Sequence, residues 1–266
     1  MKDFSQIWLT ALDETMARGL TVAPRGRLTK ELPQRTLEVN MQQPVLRVEK
    51  RQLSYQFMAA EAYWILTGDD RVATISPYNS RIAEFSDDGE RFFGAYGPKI
   101  LAQLPYVIDK LNADRMSRQA GLTIWRENPP TTKDVPCTVA IFASIRDEKL
   151  NMHVFMRSSD LWLGVPYDVF NFAMLGHYIC ALLNKTRLTA DFVQPGILYL
   201  TAASSHLYQD NWEAAFNCLT DQDPLPQADT PKFLWRDEDS CLEWLRDLRD
   251  TKPGHILRWW ERQNAS

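Results

Sequence analysis

Chemistry in this chain starts with a thiol. Cys137 follows Pro136 at the head of a β-branched and aromatic run, CTVAIFASIRD. A thiolate nucleophile needs a nearby cation or polarised donors to form. The candidate cation is Arg157, at the end of the next run, KLNMHVFMRSSD, which follows the link Asp147-Glu148-Lys149. If that link is a hairpin turn, Cys137 and Arg157 meet at one end of two paired strands. Arg157 and Ser158 together suit an anion such as phosphate, because a guanidinium fork and a hydroxyl donate to different oxygens. Gly164 and Pro166 then set a turn, and Asp168 falls in the first turn of the helix beyond it. Each residue also has a plain structural explanation: a small buried cysteine, a charged strand end, and an acid favoured by a helix dipole.

Composition narrows the classes that could use such residues. Hydrophobic residues at 45% and charged residues at 24% of 266 positions match a folded globular chain, which excludes disorder and a short disulfide scaffold. Thirty Lys and Arg against 34 Asp and Glu leave a net charge of −4, so sequence-independent nucleic-acid binding is not expected. Cys137, Cys180, Cys218 and Cys241 show no metal-ligand spacing, and no metal is expected. The N-terminal segment is interrupted by Asp3, Asp13 and Glu14, and the apolar stretch Phe170 to Leu183 is too short to span a bilayer. A cytoplasmic protein with free thiols and no membrane contact is the expectation.

The elements that must position these residues read as α+β, with one domain over residues 1–266 and a mixed sheet packed against helices. An amphipathic helix places Phe4, Ile7, Trp8, Ala11, Leu12 and Thr15 on one face and ends near Gly19. A second helix is expected over Arg51 to Thr67. Residues 74–97 hold SPYN, SDDG and GAYG and read as a long irregular stretch. A helix over Leu101 to Asn112, the two strands, a long buried helix over Tyr167 to Leu183 and a strand over Gly196 to Thr201 follow. One further helix reaches about Cys218, and the tail from Glu238 is helical. The remaining cysteines and His177 read as core residues, while His153 and His255 have no evident partner. Arg236 to Asp239 reads as a solvated helix start.

Taken together, the motifs resemble the thymidylate synthase superfamily. The matches are Pro136-Cys137, the segment Arg157 through Asp168, His206-Leu207-Tyr208, Glu61 and Trp64 followed by Gly68-Asp69, Gly94-Ala95-Tyr96-Gly97, Ser117-Arg118 and Arg25-Gly26. They run in the family's order from about residue 6 to residue 216. The resemblance implies a homodimer formed through the sheet face, a pyrimidine nucleoside monophosphate as substrate and 5,10-methylenetetrahydrofolate as co-substrate. It further implies that Cys137 adds to C6 of the base and that Glu61 organises water and moves protons, with Tyr96 steadying that water. Arg25, Arg157 and Ser158 would hold the phosphate, and Arg118 would reach it from the second subunit. His206 and Tyr208 would bind the sugar hydroxyl, and Asp160, with Leu163 and Gly164, would meet the folate.

Departures from the pattern bear on substrate and product. Thymidylate synthases carry Asn where this chain has Asp168. A carboxylate accepts from the N4 amino group of cytosine and, when protonated or facing a protonated N3, completes a second bond, so a cytosine nucleotide is expected. Between dCMP and CMP, dCMP is favoured, but no motif distinguishes deoxyribose from ribose. Gln119 replaces the second Arg of the family's Ser-Arg-Arg, and Thr138 follows Cys137 where the synthases usually have His. No Trp occurs between Thr74 and Phe85, and HILRWWERQNAS lacks the synthases' short apolar tail. Both favour water over hydride at the one-carbon unit, hence 5-hydroxymethylation rather than methylation. Trp259 and Trp260 could act as a substitute lid or pack at an interface. A non-catalytic nucleotide- or RNA-binding homologue is the remote alternative.

Overall fold

The computed structural model describes residues 3–185, 188, 191–220 and 237–251. Among these residues, seven strands form one mixed sheet: β1 Leu20–Val22, β2 Thr29–Asn40, β3 Gly121–Thr123, β4 Thr138–Arg146, β5 Lys149–Met156, β6 Ser159–Asp160 and β7 Gln194–Tyr208. The spatial order is β1-β2-β7-β5-β4-β3, with β6 also against β7. The β5–β7 and β6–β7 pairs are parallel and the rest antiparallel. The helices are α1 Phe4–Arg18, α2 Tyr55–Leu66, α3 Val72–Ile75, α4 Tyr96–Ala113, α5 Val165–Asn184, α6 Trp212–Thr220 and α7 Glu238–Asp250. Fold class and layering are those expected: α+β, with the helices packed on a mixed sheet.

Local chemistry explains the elements that matter to the site. Strand β5 alternates buried Leu150, Met152, Val154 and Met156 with outward Asn151, His153 and Phe155, as the period-2 pattern requires. It joins β4 through Asp147 and Glu148, both at positive φ (49° and 58°), the tight hairpin conformation that matches strand twist. Pairing of Thr138 with Met156 brings Cys137 and Arg157 to the same end, and the Arg157 amide donates to the Cys137 carbonyl at 2.8 Å. Helix α5 is buried almost all round and returns the chain from β5 to β7. His177 on it is buried, with Nε2 2.9 Å from the Met41 carbonyl. His153, unpartnered in the sequence reading, stacks on Tyr199 with centroids 4.8 Å apart.

Three boundaries differ from expectation. Helix α2 starts at Tyr55 rather than Arg51, because Ser54 Oγ accepts from the Phe57 amide as an N-cap, and Glu49–Arg51 forms a separate 3₁₀ turn. Helix α4 begins at Tyr96 rather than Leu101, which lifts Tyr96 out of the irregular stretch and into a helical first turn. Strand β7 runs from Gln194 to Tyr208 rather than Gly196 to Thr201. The small residues Ala202 to Ser205 have little strand preference of their own, and pairing with β2 on one side and β5 and β6 on the other supplies it. Cys180, Cys218 and Cys241 are buried on α5, α6 and α7, and Asp237 caps α7 through the Ser240 amide. Arg236, His255, Trp259 and Trp260 lie outside the described residues.

Candidate active site

Cys137 sits half-buried just before β4, with its Sγ 3.8 Å from Ser158 Oγ. Arg157 braces the same corner: Nε donates to the Pro136 carbonyl at 3.0 Å, one terminal nitrogen to the Val135 carbonyl at 2.9 Å and the other to Ser158 Oγ at 3.0 Å. These bonds use three of five guanidinium protons, and Arg157 remains exposed. The thiol is not lowered as a ready nucleophile requires. Burial pushes it above the ordinary cysteine value, the Arg157 charge opposes that, and Asp168 adds to it.

Cys137 borders a set of carboxyls whose acidity is weakened by burial. Glu61 on α2, Asp168 and Asn171 on α5, Tyr96 on α4 and Asp134 line a cavity of about 170 Å³ whose other walls include Ile82, Phe85 and Phe92. Asn171 Nδ2 donates to Glu61 Oε2 at 2.7 Å. Burial raises the Glu61 carboxyl to about 7, only partly offset by that bond. Asp168 is raised well above the ordinary carboxyl value by burial and then by the charges of Glu61 and Asp160, so it carries its proton more readily than a free carboxyl. Tyr96 is pushed up by burial, then by Asp168 and Cys137; its hydroxyl accepts from the Thr138 amide at 3.3 Å.

The turn between β6 and α5 is clamped from two sides. Trp8 Nε1 donates to the Leu161 carbonyl at 2.6 Å, and the buried Arg51 guanidinium donates twice to the Trp162 carbonyl, at 2.6 and 3.1 Å. Asp160 Oδ1 accepts from the Trp162 and Leu163 amides at 2.8 and 3.0 Å. Leu163 is left 52% exposed, an apolar contact available at the surface. A Cβ at Gly164 would lie 3.1 Å from Asp168 Oδ2, so a bare glycine lets that carboxyl approach the turn.

The remaining sequence-selected residues gather at the same end of the sheet or stay apart. Asp160 pairs with His206 and Thr29 with Tyr208 in register; the two rings are edge-to-face at 5.1 Å. His206 Nδ1 is buried without a hydrogen-bond partner. Arg25 lies on the exposed β1–β2 connection at φ 53°, close in the chain to Thr29. Arg118 is exposed, remote in register from this end, just before β3. Three residues of the site were passed over in the sequence. Asn171 falls one helical turn after Asp168 on the same face, and Asp134 stands three residues before Cys137; both spacings were legible. Arg27, whose guanidinium lies 4.0 Å over the Tyr208 ring and pairs with Asp210 at 2.9 Å, had no pattern to mark it.

A larger groove, about 630 Å³, opens at the far end of α2, but its arginines already face carboxylates: Arg71 with Asp69 at 2.7 Å and Arg91 with Asp70 at 2.5 Å. It holds none of the thiol or proton-transfer groups. No helix among the described residues is long and apolar enough to cross a membrane.

Comparison with known proteins finds relatives of related description. A deoxyuridylate hydroxymethyltransferase of Bacillus phage SP01 is 29% identical over 236 residues, covering 79% of this chain and 58% of that protein. A second protein of that description, from Pseudomonas phage M6, is 29% identical over 188 residues, covering 67% of this chain and 51% of its own length. The chain thus spans little more than half the length of these relatives. The family described as thymidylate synthase matches residues 6–239, from α1 into the start of α7. The chain belongs to the thymidylate synthase family.

Proposed function

We propose that this chain transfers a one-carbon unit to C5 of a cytosine nucleoside monophosphate, dCMP above CMP, and that water completes it as a 5-hydroxymethyl group. The observation that carries the reading is the cavity shared by Glu61 and Asp168 beside the Cys137 thiol. Addition of the thiol to C6 makes C5 nucleophilic, which divides one difficult substitution into easier steps. Glu61, near neutrality and held by Asn171, suits a group that both gives and takes protons. Arg157, Ser158 and Arg25 supply donors for the phosphate, with His206 and Tyr208 beside the sugar.

5,10-Methylenetetrahydrofolate would supply the one-carbon unit. The clamped turn suits it chemically: Leu163 offers exposed apolar surface, and Asp160 keeps Oδ2 clear of protein hydrogen bonds. The irregular segment contributes Ile82 and Phe85 to the cavity wall and no tryptophan ring, which supports water entry, while Trp64 of α2 lines the cavity from another side. A second copy would pack on the outer sheet face, where Phe142 and Phe155 are 42% and 44% exposed, and would lend its Arg118 to the phosphate.

Asp168 decides the base. A neutral carboxyl donates to N3 of cytosine and accepts from N4. The same group can donate to O4 of uracil and accept from N3–H, and the activity named for the two phage relatives supports that second reading. The two separate in a competition assay with dCMP, CMP and dUMP together, weighing the products. Dominance of hydroxymethyl-dCMP, with Asp168→Asn shifting preference toward dUMP by roughly ten-fold or more, is expected. Preference for dUMP in the unaltered chain would overturn the cytosine reading.

A further inference from the structure

The proposed hydration needs a group to take a proton from the attacking water, and Glu61 is not the only carboxyl placed to supply it. Glu61 Oε2 is bound to Asn171, and Asp168 is committed to the edge of the base. A third carboxyl lines the same cavity. Asp134 stands three residues before the nucleophile, on the segment whose carbonyls at Val135 and Pro136 are gripped by Arg157. Its Oδ2 accepts from the Gly94 amide at 2.6 Å, while Oδ1 takes no protein hydrogen bond. This placement is built rather than incidental. A Cβ at Gly94 would lie 2.4 Å from the Asp134 carbonyl and 2.9 Å from Oδ1, so only glycine admits the carboxyl this close. Thr132 Oγ1 accepts from the Asp134 amide at 3.1 Å and itself donates to Asp87, which also holds the Lys133 amide. Ile82, Phe85 and Phe92 are apolar walls, and Trp64, also in the wall, has a buried Nε1 without a hydrogen-bond partner.

From this geometry we infer that Asp134 is a catalytic residue: it holds and deprotonates the water that attacks the one-carbon unit. The inference rests on the hydroxymethylation reading above. In the step, the nucleotide is joined to Cys137 at C6 and carries an exocyclic methylene on C5. The water oxygen forms a bond to the methylene carbon, and its proton passes to Asp134 Oδ1. The methylene π electrons move into the ring, and re-forming the C5=C6 bond expels the Cys137 thiolate. No oxidant or reductant is required. Burial raises Asp134 above the ordinary carboxyl value, with the Gly94 amide and Lys99 opposing, which favours a proton acceptor over a permanently ionised group.

Asp134→Asn keeps an oxygen for the Gly94 amide and removes the base. The test compares the variant with the unaltered chain in single turnovers, using dCMP tritiated at C5 and methylenetetrahydrofolate. Tritium release reports every step up to loss of the C5 proton, and product mass reports hydration. Expected is tritium release within about two-fold of the unaltered chain and hydroxymethyl formation slowed by roughly a hundred-fold. The stalled methylene is then trapped as a C5-thioether by added thiol. Parallel loss of both signals would make Asp134 a clamp for Gly94 and overturn the inference; an unchanged ratio of the two would overturn it as well. Methylated product with dihydrofolate from the unaltered chain would instead remove the hydroxymethylation reading, and this inference with it.

Discussion

Burial holds the thiol of Cys137 in its neutral form, and one cation, Arg157, pulls the other way. If Cys137 is the nucleophile proposed above, its thiolate would form when substrate arrives rather than being kept ready. Because Cys180, Cys218 and Cys241 are buried, alkylation of the folded protein reads Cys137 selectively. Its rate should rise with pH through a midpoint above the ordinary cysteine value. Arg157→Met should move that midpoint higher and slow labelling at pH 8 by roughly ten-fold, as measured by mass spectrometry with iodoacetamide; a lower midpoint would contradict this electrostatic assignment. At this scale the sequence was informative about residue type and less so about state. Pro136-Cys137 and Arg157 mark the corner plainly. The direction of the thiol shift depends on how deeply the strands bury that corner, which no local motif encodes.

The elements place residues far apart in the chain with few adjustable parts. The turn between β6 and α5 holds its shape through Trp8 and Arg51, from α1 and the 3₁₀ turn before α2. Hairpin register was readable from Asp147-Glu148 and the alternation in β5, because a one-residue slip would turn Val154 and Met156 outward. The length of β7 was not, since its Ala- and Ser-rich end is a strand only by virtue of its neighbours. The outer sheet face invites a test at this level. Phe142 and Phe155 meet edge-to-face at 6.3 Å on the outer face of β4 and β5, and both are exposed. If Arg118 crosses to the partner's phosphate site, inactive Cys137→Ala and Arg118→Ala chains should complement each other. Random mixing makes half of the dimers hybrid, each with one complete site, so activity should return to about a quarter of normal. Failure to recover activity, with subunit exchange verified by native mass spectrometry, would mean that each chain supplies its own arginine.

Over the whole molecule, two buried titrations oppose each other. Glu61 is held at about 7 against an ordinary 4.5, so the unfolded chain ionises first, and stability declines as pH rises from about 4.5 to 7. His177 is lowered to about 4 from 6.5 by burial, so the unfolded chain gains its proton first, and stability declines as pH falls from 6.5 to 4. Each slope has a ceiling of about 3 kcal/mol, with less expected for Glu61 because its carboxyl borders the cavity. Denaturant titrations from pH 4 to pH 8 should show Glu61→Gln flattening the loss toward pH 8 and His177→Asn flattening the loss toward pH 4. If either variant left its slope unchanged, that group would not be the source.

Strand β7 also has a bearing on how the chain is made. It lies at the centre of the sheet, with β1 and β2 on one side and β3, β4 and β5 on the other, yet it begins only at Gln194. On a ribosome, the two flanking groups of strands emerge long before the strand that joins them. Until Tyr208 has cleared the exit tunnel, β2 and β5 present unsatisfied edges, and no nascent fragment can bring His206 beside Asp160. Assembly of the sheet and completion of the site are thus one late event, and chains truncated before residue 208 are expected to aggregate rather than to work slowly.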